Sequence, residues 1–112
     1  GARVVAVELA EGPGLAPAIA AGKPVPVRRP ATIADGMTPP FVGAHALAIA
    51  REAVDEIVTV TEAEILEGMR LLMTRAKLYV EGSGAAGLAA RTRRRRPRWS
   101  RRGCRCSGAC CA

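Results

Sequence analysis

The stretch EIVTVTEAE, residues 56–64, changes from a strand pattern to a helix pattern and decides the fold class. Its first five residues alternate and are rich in β-branched side chains, which predicts a strand. Thr61 and Glu64 then have the spacing of a capping box, in which each side chain bonds the other residue's backbone amide. A helix is therefore predicted to begin there and to end near Arg75 or Lys77. Apolar residues at helical spacing predict its buried face: Ile65, Met69, Leu72, Met73 and Ala76.

The alternation of strand and helix continues on both sides of this stretch. Strands are predicted at residues 3–8 and 78–80, and helices at 15–21, 43–54 and 83–90. The first strand is apolar and rich in β-branched side chains, the composition of a strand buried on both faces of a parallel sheet. The sequence therefore predicts an α/β fold, in which helices cover the faces of a parallel sheet.

The remaining segments carry turn and loop signals. Residues 32–36 are expected to form a brief extended piece, and residues 37–40 an irregular loop, because its two prolines cannot donate to a ladder. A linker that contains proline and arginine runs through residues 25–30. Tyr79 is expected in the core. His45 is alone on a predicted helix and is expected to be a solvated side chain.

Charge divides the 112 residues, whose net charge is +7, into two parts. Residues 1–90 hold eight Lys or Arg against ten Asp or Glu, a net −2, whereas residues 91–112 hold nine Arg and no acid, a net +9. All four cysteines lie in the second part. We expect a domain at residues 1–90 and an Arg/Cys-rich, disordered tail at 91–112. The apolar runs are shorter than the ~20 residues that span a bilayer, so no membrane association is expected.

Three phrases of the sequence together resemble a family of enzymes. They are VVAVE at residues 4–8, TIADG at residues 32–36 and KLYVEGSGAA at residues 77–86. In this order they resemble the C-terminal part of the catalytic domain of threonine dehydratases and serine racemases, which use pyridoxal phosphate (PLP). The resemblance covers about residues 1–90. It implies a fragment of a three-layer parallel-sheet domain of the tryptophan synthase beta-like type.

The resemblance implies two cofactor-binding residues, Gly36 and Glu81. Gly36 matches a glycine whose backbone lies against the cofactor in the family, and Glu81 matches a glutamate beside it. Taken by itself, Gly36 is a turn glycine that needs a positive φ. Residues 81–86 by themselves form a glycine turn before a helix, where anions are favoured but which is common without a ligand. Asp35 is expected to hold the loop through local bonds to the backbone.

Glu8 is a candidate metal ligand. In several relatives the matching glutamate lies in a divalent-cation site, with a backbone carbonyl four residues on and a carboxylate six residues on. Those positions are Gly12 and Gly14 here, and hard cations need several oxygen ligands. Glu11 can supply the missing second carboxylate only if the turn repacks. A solvated carboxylate at the end of a strand is therefore the favoured interpretation of Glu8.

The implied reaction is that of a threonine or serine ammonia-lyase (dehydratase), which converts a β-hydroxy amino acid to a 2-oxo acid and ammonia. The family's Schiff-base lysine lies upstream of Gly1, and neither Lys23 nor Lys77 stands in its motif. We therefore expect a fragment that neither retains PLP nor acts alone. The whole enzyme is expected to be a cytoplasmic homo-oligomer with a small amino-acid substrate. An amino-acid (serine) racemase is the alternative within the family.

The tail, residues 91–112, has three interpretations. Its clustered arginines, with Trp99, could bind nucleic acid through phosphate contacts and stacking. Its four cysteines could hold a soft metal, although they lack paired Cys-x-x-Cys spacing. The favoured interpretation is coding sequence read out of frame, because the composition changes abruptly to that of GC-rich codons. A nucleic-acid partner is therefore not expected.

Overall fold

The computed structural model describes residues 1–93 and 99–100. In chain order the strands and α-helices of these residues are β1 Val5–Leu9, α1 Leu15–Ala21, α2 Ala44–Ala53, β2 Glu56–Val60, α3 Glu62–Leu71, α4 Gly82–Thr92 and β3 Trp99–Ser100. A 3₁₀ turn, Asp35–Met37, lies between α1 and α2, and a π-helical segment, Leu72–Ala76, continues α3. Among the described residues, every helix is too short or too polar to span a bilayer.

The sheet is built around a parallel pair of strands. β1 and β2 pair in parallel from Val5 opposite Glu56 to Leu9 opposite Val60. β3 pairs antiparallel with the other edge of β2. Parallel neighbours cannot be joined by a tight turn. The chain therefore crosses over between β1 and β2, and α1 and α2 lie in that crossover.

Buried side chains on both faces of the sheet create three layers. On one face, α3 and α4 cover a cluster of six residues: Leu9, Ala34, Val60, Ile65, Ala85 and Ala89. On the other face, α1 and α2 cover a second cluster: Leu15, Ala18, Leu47, Val54 and Ile57. Successive strand residues point to opposite faces, which is why Ile57 and Val60 belong to different clusters. The layers confirm the predicted α/β fold.

Local signals set the helix ends much as predicted. The Glu64 amide donates to Thr61 Oγ1 at 3.3 Å and the Thr61 amide to Glu64 Oε2 at 2.7 Å, so the capping box is formed. α1 ends at Gly22, whose φ of 69° is the left-handed conformation that glycine adopts at little cost. The predicted helix before β2 is confirmed to within about two residues of its ends, a normal uncertainty. The predicted helix after β2 ends at Leu71 as an α-helix and reaches its predicted end only through the π-helical segment, which ends at Ala76.

Two predicted extended segments are wrong. Residues 78–80 form no strand, and Tyr79 is 91% exposed instead of lying in the core. Within the described residues no strand pairs with this segment, and backbone groups without a neighbouring strand cannot form a ladder. Residues 32–36 are not a simple extended piece either. Asp35 begins the 3₁₀ turn, in which the Thr38 amide donates to the Asp35 carbonyl at 3.1 Å.

The predicted buried face of the third helix is correct over its first half. Ile65 is buried and Met69 and Leu72 are half-buried, whereas Met73 and Ala76 are exposed. The helix changes to π-helical geometry at Leu72. A π turn contains more residues than an α turn, so side chains at α-helical spacing no longer stay on one face.

The predicted boundary at residue 90 stays a prediction. α4 continues to Thr92, and the next residue, Arg93, is tied to the domain. Its Nη1 donates to Thr59 Oγ1 at 3.2 Å, and its Nε lies 3.4 Å from Glu64 Oε1. The cysteines and most of the arginines of the tail lie outside the described residues, as does the side chain of Trp99. The three interpretations of the tail therefore stay predictions.

Candidate cofactor-binding site

The first residue of α4 packs directly on the backbone of a distant loop. A Cβ at Gly82 would lie 2.6 Å from the carbonyl oxygen of Ile33 and 3.1 Å from the amide nitrogen of Ala34. No side chain fits between the two backbones. The contact places residues 32–37, the candidate-site loop, against the start of α4. The loop and the helix are about 50 residues apart in sequence.

Gly36 lies against the same end of α4. A Cβ on Gly36 would lie 2.9 Å from the Ser83 hydroxyl, so one side of Gly36 faces Ser83. Gly36 itself is exposed. Among the glycines, the positive φ values belong to Gly22 alone within the described residues, so the interpretation of Gly36 as a positive-φ turn residue is wrong. A Cβ at Gly36 would therefore require the Ser83 hydroxyl to move, and backbone conformation does not require a glycine there.

Hydrogen bonds hold the candidate-site loop in place. The Ile33 amide donates to Glu62 Oε1 at 2.7 Å, and the Ala34 amide donates to Thr32 Oγ1 at 3.2 Å. Asp35 Oδ1 accepts from the Gly36 amide at 2.8 Å, which confirms the predicted local role of Asp35. The role of Glu62 was not predicted from the sequence. Glu62 lies 29 residues from Ile33, and no local pattern indicates such a partner.

Glu81 and the first amides of α4 form the open side of this arrangement. Glu81 is exposed and is the N-cap residue of α4, but its side chain makes no capping bond. The first amides of a helix have no intrahelical partner, and they carry partial positive charge. Ser83 Oγ is buried and has no hydrogen-bond partner among the described residues. The structure thus places Gly36, through Ser83, close to the segment that begins with Glu81.

Glu8 occupies a different position and is not a solvated carboxylate. Its Oε1 accepts from the Gly14 amide at 2.8 Å and from the Leu15 amide at 2.6 Å. Its Oε2 is buried without a hydrogen-bond partner in the described part of the chain. That part contains no group of three or more His, Cys, Asp or Glu side chains that could hold a metal ion. The metal role of Glu8 therefore stays a prediction.

The two lysines and the histidine lie on the surface. Lys23 is exposed just beyond the end of α1. Lys77 has a φ of 59° after the π-helical segment, and its Nζ donates to the Thr74 carbonyl at 3.0 Å. His45 is exposed on α2, as expected. The Lys77 side chain is thus bonded to the end of its own helix and not to the candidate-site loop.

The fold defines the class of the protein: a three-layer α/β protein built on a parallel sheet. The chain belongs to the family described as Pyridoxal-phosphate dependent enzyme, whose model matches residues 1–104. This finding confirms the family expected from the three sequence phrases. The match continues past residue 90, where the expected resemblance ends.

Several proteins of known activity are similar to the chain. An L-threo-3-hydroxyaspartate ammonia-lyase of Pseudomonas sp is 48% identical over 69 residues, covering 62% of this chain and 22% of the relative. An L-threonine ammonia-lyase of Geobacter sulfurreducens is 41% identical over 93 residues, covering 83% of this chain and 23% of the relative. The chain thus spans less than a quarter of the length of either relative.

Solved structures show the same likeness. The threonine deaminase of T.th. has a TM-score of 0.73 and 39% identity, covering 79% of this chain and 32% of that structure. Maize serine racemase has a TM-score of 0.72 and 35% identity, covering 79% of this chain and 26% of that structure. The α/β fold of this chain is thus similar to part of the fold of two enzymes whose structures are solved.

Proposed function

We propose that the whole protein is a PLP-dependent ammonia-lyase that converts a β-hydroxy amino acid, threonine or serine, to a 2-oxo acid and ammonia. The chain contributes one part of its cofactor site, with Gly36 and Glu81 as the cofactor-binding residues. The observation that carries the proposal is the packing of the candidate-site loop on the start of α4, which brings two separate family phrases together. The similar ammonia-lyases support the reaction class.

The residues of the loop fit one side of a planar cofactor. Gly36 has no side chain and its backbone is exposed, so a flat ring can approach it closely. The Ser83 hydroxyl, which is buried and has no hydrogen-bond partner among the described residues, lies on the side of Gly36 that a Cβ would face. Glu81 presents a carboxylate at the exposed edge, where it can accept hydrogen bonds from a ligand.

PLP, when bound, withdraws the electron pair that remains on the substrate Cα after proton removal. In this chain Gly36, through its exposed backbone, and Glu81, through its carboxylate, would hold and orient the cofactor. The covalent link to the cofactor needs a lysine, and Lys23 and Lys77 lie in exposed segments outside the candidate-site loop. We therefore propose that the chain by itself does not retain PLP.

A serine racemase is the second candidate. Maize serine racemase has nearly the same TM-score as the threonine deaminase. A serine racemase of Arabidopsis thaliana is 38% identical over 88 residues. Both reactions begin with loss of the Cα proton, and they differ in whether the β-hydroxyl leaves or the proton returns to the other face. Gly36 and Glu81 would bind the cofactor in the same way in both reactions.

The proposed whole enzyme is a homo-oligomer in the cytoplasm, and its partner is a small amino acid. An L-threonine ammonia-lyase and an L-threonine dehydratase among the relatives support the amino-acid partner. Nucleic acid has no part in the proposal. A size-exclusion measurement on the whole protein, once obtained, tests the oligomeric state directly.

A chimera tests the proposed reaction. Residues 1–90 of this chain replace the matching segment of the threonine deaminase of T.th., whose own upstream part supplies the cofactor lysine. We expect formation of 2-oxobutyrate from L-threonine, with bound cofactor absorbing near ~420 nm. A Gly36→Val chimera should lose both signals, because its branched side chain meets Ser83 and pushes the candidate-site loop away from the start of α4. A Gly87→Ala chimera is the matched control, since that glycine has open space around it.

The same chimera separates the two candidates. Release of 2-oxo acid from L-serine supports the lyase, and formation of D-serine without 2-oxo acid supports the racemase. A folded chimera that holds PLP but carries out neither reaction contradicts the proposal. A PLP titration of the purified chain, with borohydride trapping, checks retention separately: a stoichiometric adduct at Lys23 or Lys77 would show that the chain holds the cofactor alone.

A further inference from the structure

Glu8 joins the end of β1 to the beginning of α1 through its carboxylate. Oε1 accepts from two successive amides, those of Gly14 and Leu15, at 2.8 and 2.6 Å. The distances are those of charge-assisted hydrogen bonds, which are stronger than neutral ones. The carboxylate group thus holds in place the turn of residues 10–14, which connects the strand to the helix.

The two glycines of this turn are covered by the 25–30 linker. A Cβ at Gly12 would lie 2.6 Å from the carbonyl oxygen of Arg28, and a Cβ at Gly14 would lie 2.9 Å from Val27 Cγ2. The linker is itself fixed, because the Val27 amide donates to the Pro40 carbonyl at 2.8 Å. A carboxylate side chain at position 14, the second acid of the relatives' cation site, would have to displace this packing.

The space beside Glu8 is also chemically wrong for a hard cation. Glu8, Gly12 and Gly14 line a cavity of about 290 Å³, and the other side chains that line it are apolar, among them Val27, Met37 and Val42. Calcium takes six to eight oxygen ligands, and magnesium needs near-octahedral oxygen geometry. One carboxylate, already engaged by two amides, does not provide such a set.

We propose that the Gly14 and Leu15 amides take the place of a divalent cation beside Glu8 in this chain: through them the carboxylate ties β1 to α1, and the turn forms without metal. Oε1 needs no bound ion because the two amide hydrogens supply it with positive partial charge, whereas Oε2 is buried without a hydrogen-bond partner among the described residues. The inference goes beyond the proposed reaction, and its test contains neither substrate nor cofactor. Its failure is therefore distinguishable from failure of the proposed function.

The first measurement is Mn²⁺ binding to the full chain, followed by the electron paramagnetic resonance signal of the free ion. We expect no Mn²⁺ bound at Glu8 up to about 1 mM, the weak end of protein calcium sites. Mn²⁺ prefers oxygen ligands over the soft thiolates of the tail. Saturable binding that Glu8→Gln abolishes and Glu11→Gln preserves would overturn the proposal. Glu11 is the matched control because it is an exposed carboxylate in the same turn.

The second measurement is hydrogen exchange of the Gly14 and Leu15 amides in the full chain. Adding Mg²⁺ or Ca²⁺ should leave their exchange unchanged. In Glu8→Gln we expect both amides to exchange roughly tenfold faster or more, because the charged acceptor is lost, whereas Glu11→Gln should exchange as the parent does. Protection that rises with added cation, or that survives in Glu8→Gln, would refute the proposal. The cation response of the parent chain decides the question even if Glu8→Gln does not fold.

Discussion

Replacing Gly82 with alanine places a methyl group 2.6 Å from the Ile33 carbonyl oxygen and 2.9 Å from the Ile33 carbonyl carbon. Both atoms belong to backbone, so no side-chain rotation relieves the contact. The loop also resists displacement, because the Ile33 amide is bonded to Glu62 at 2.7 Å and Ala34 is fully buried. The substitution must therefore separate the candidate-site loop from the start of α4 or distort one of the two.

The magnitude follows from the geometry. Real Cβ atoms are essentially never closer than 3.0 Å to another heavy atom, and the methyl group would be 2.6 Å from the Ile33 oxygen. The two backbones must therefore move apart by about 0.4 Å. Overpacking of this kind typically costs about 1–3 kcal/mol, occasionally more. Alanine recovers at most about 0.5–1 kcal/mol, since glycine is the poorer helix former. We expect a net loss of about 1–2 kcal/mol, or roughly 4–16 °C in the melting temperature of a domain this small.

Gly87→Ala is the matched control in the same helix. A Cβ at Gly87 meets nothing within 4 Å, and the residue is exposed in the middle of α4. Only the helix-propensity gain remains, so this variant should be more stable than the parent by about 0.5–1 kcal/mol. Urea unfolding followed by circular dichroism measures both variants. If Gly82→Ala is as stable as Gly87→Ala, the close contact between loop and helix does not exist as described.

Three further predictions concern the ends and the surface of the helices. Arg93→Ala should lower the free energy of unfolding by about 1–3 kcal/mol in urea titrations, because Thr59 and Glu64 lose their contacts with a buried guanidinium, whereas exposed Arg91→Ala should change it by less than about 0.5 kcal/mol. Equal effects would show that residue 93 is not anchored. Thr61→Ala should remove the capping box and lower the free energy of unfolding by about 0.5–2 kcal/mol. Thermal unfolding measures this change, and an unchanged midpoint temperature would contradict the cap. The pKa of the Glu67 carboxyl lies below its ordinary value of 4.5, first because Arg70 donates side-chain hydrogen bonds to it and then through charge attraction. A lowered folded pKa gives stability that is present above the ordinary value and lost as the pH falls through the folded one. Glu67→Gln should therefore reduce the acid-side loss of melting temperature below pH 4.5, and a curve parallel to the parent's would count against the ion pair.

Elements whose signals are local in sequence were predicted well. The capping box of Thr61 and Glu64 is formed by residues three apart, so its pattern and its bonds lie in one short segment. The same holds for Gly22, which ends α1 with a left-handed conformation. The sequence phrases also led to the correct family. In each case neighbouring residues carry the whole signal.

Elements that need a distant partner were predicted poorly. Residues 78–80 have a strand composition, yet a strand forms only where another strand offers backbone groups, and none does so in the described part of the chain. The interpretation of Glu8 as solvated failed for a related reason. Its partners are amides of the following turn, and the fold of that turn depends on the 25–30 linker above it.

The sequence by itself determined the helices, the parallel strands β1 and β2, the α/β class and the family, because periodicity, caps and turn residues act between near neighbours. The tertiary structure alone decided why Gly82 must lack a side chain, which residue Gly36 packs against and which amides the Glu8 carboxylate holds. Those properties depend on distances of about 3 Å between segments far apart in the chain. Such distances exist only after burial of the two apolar clusters has brought the segments together.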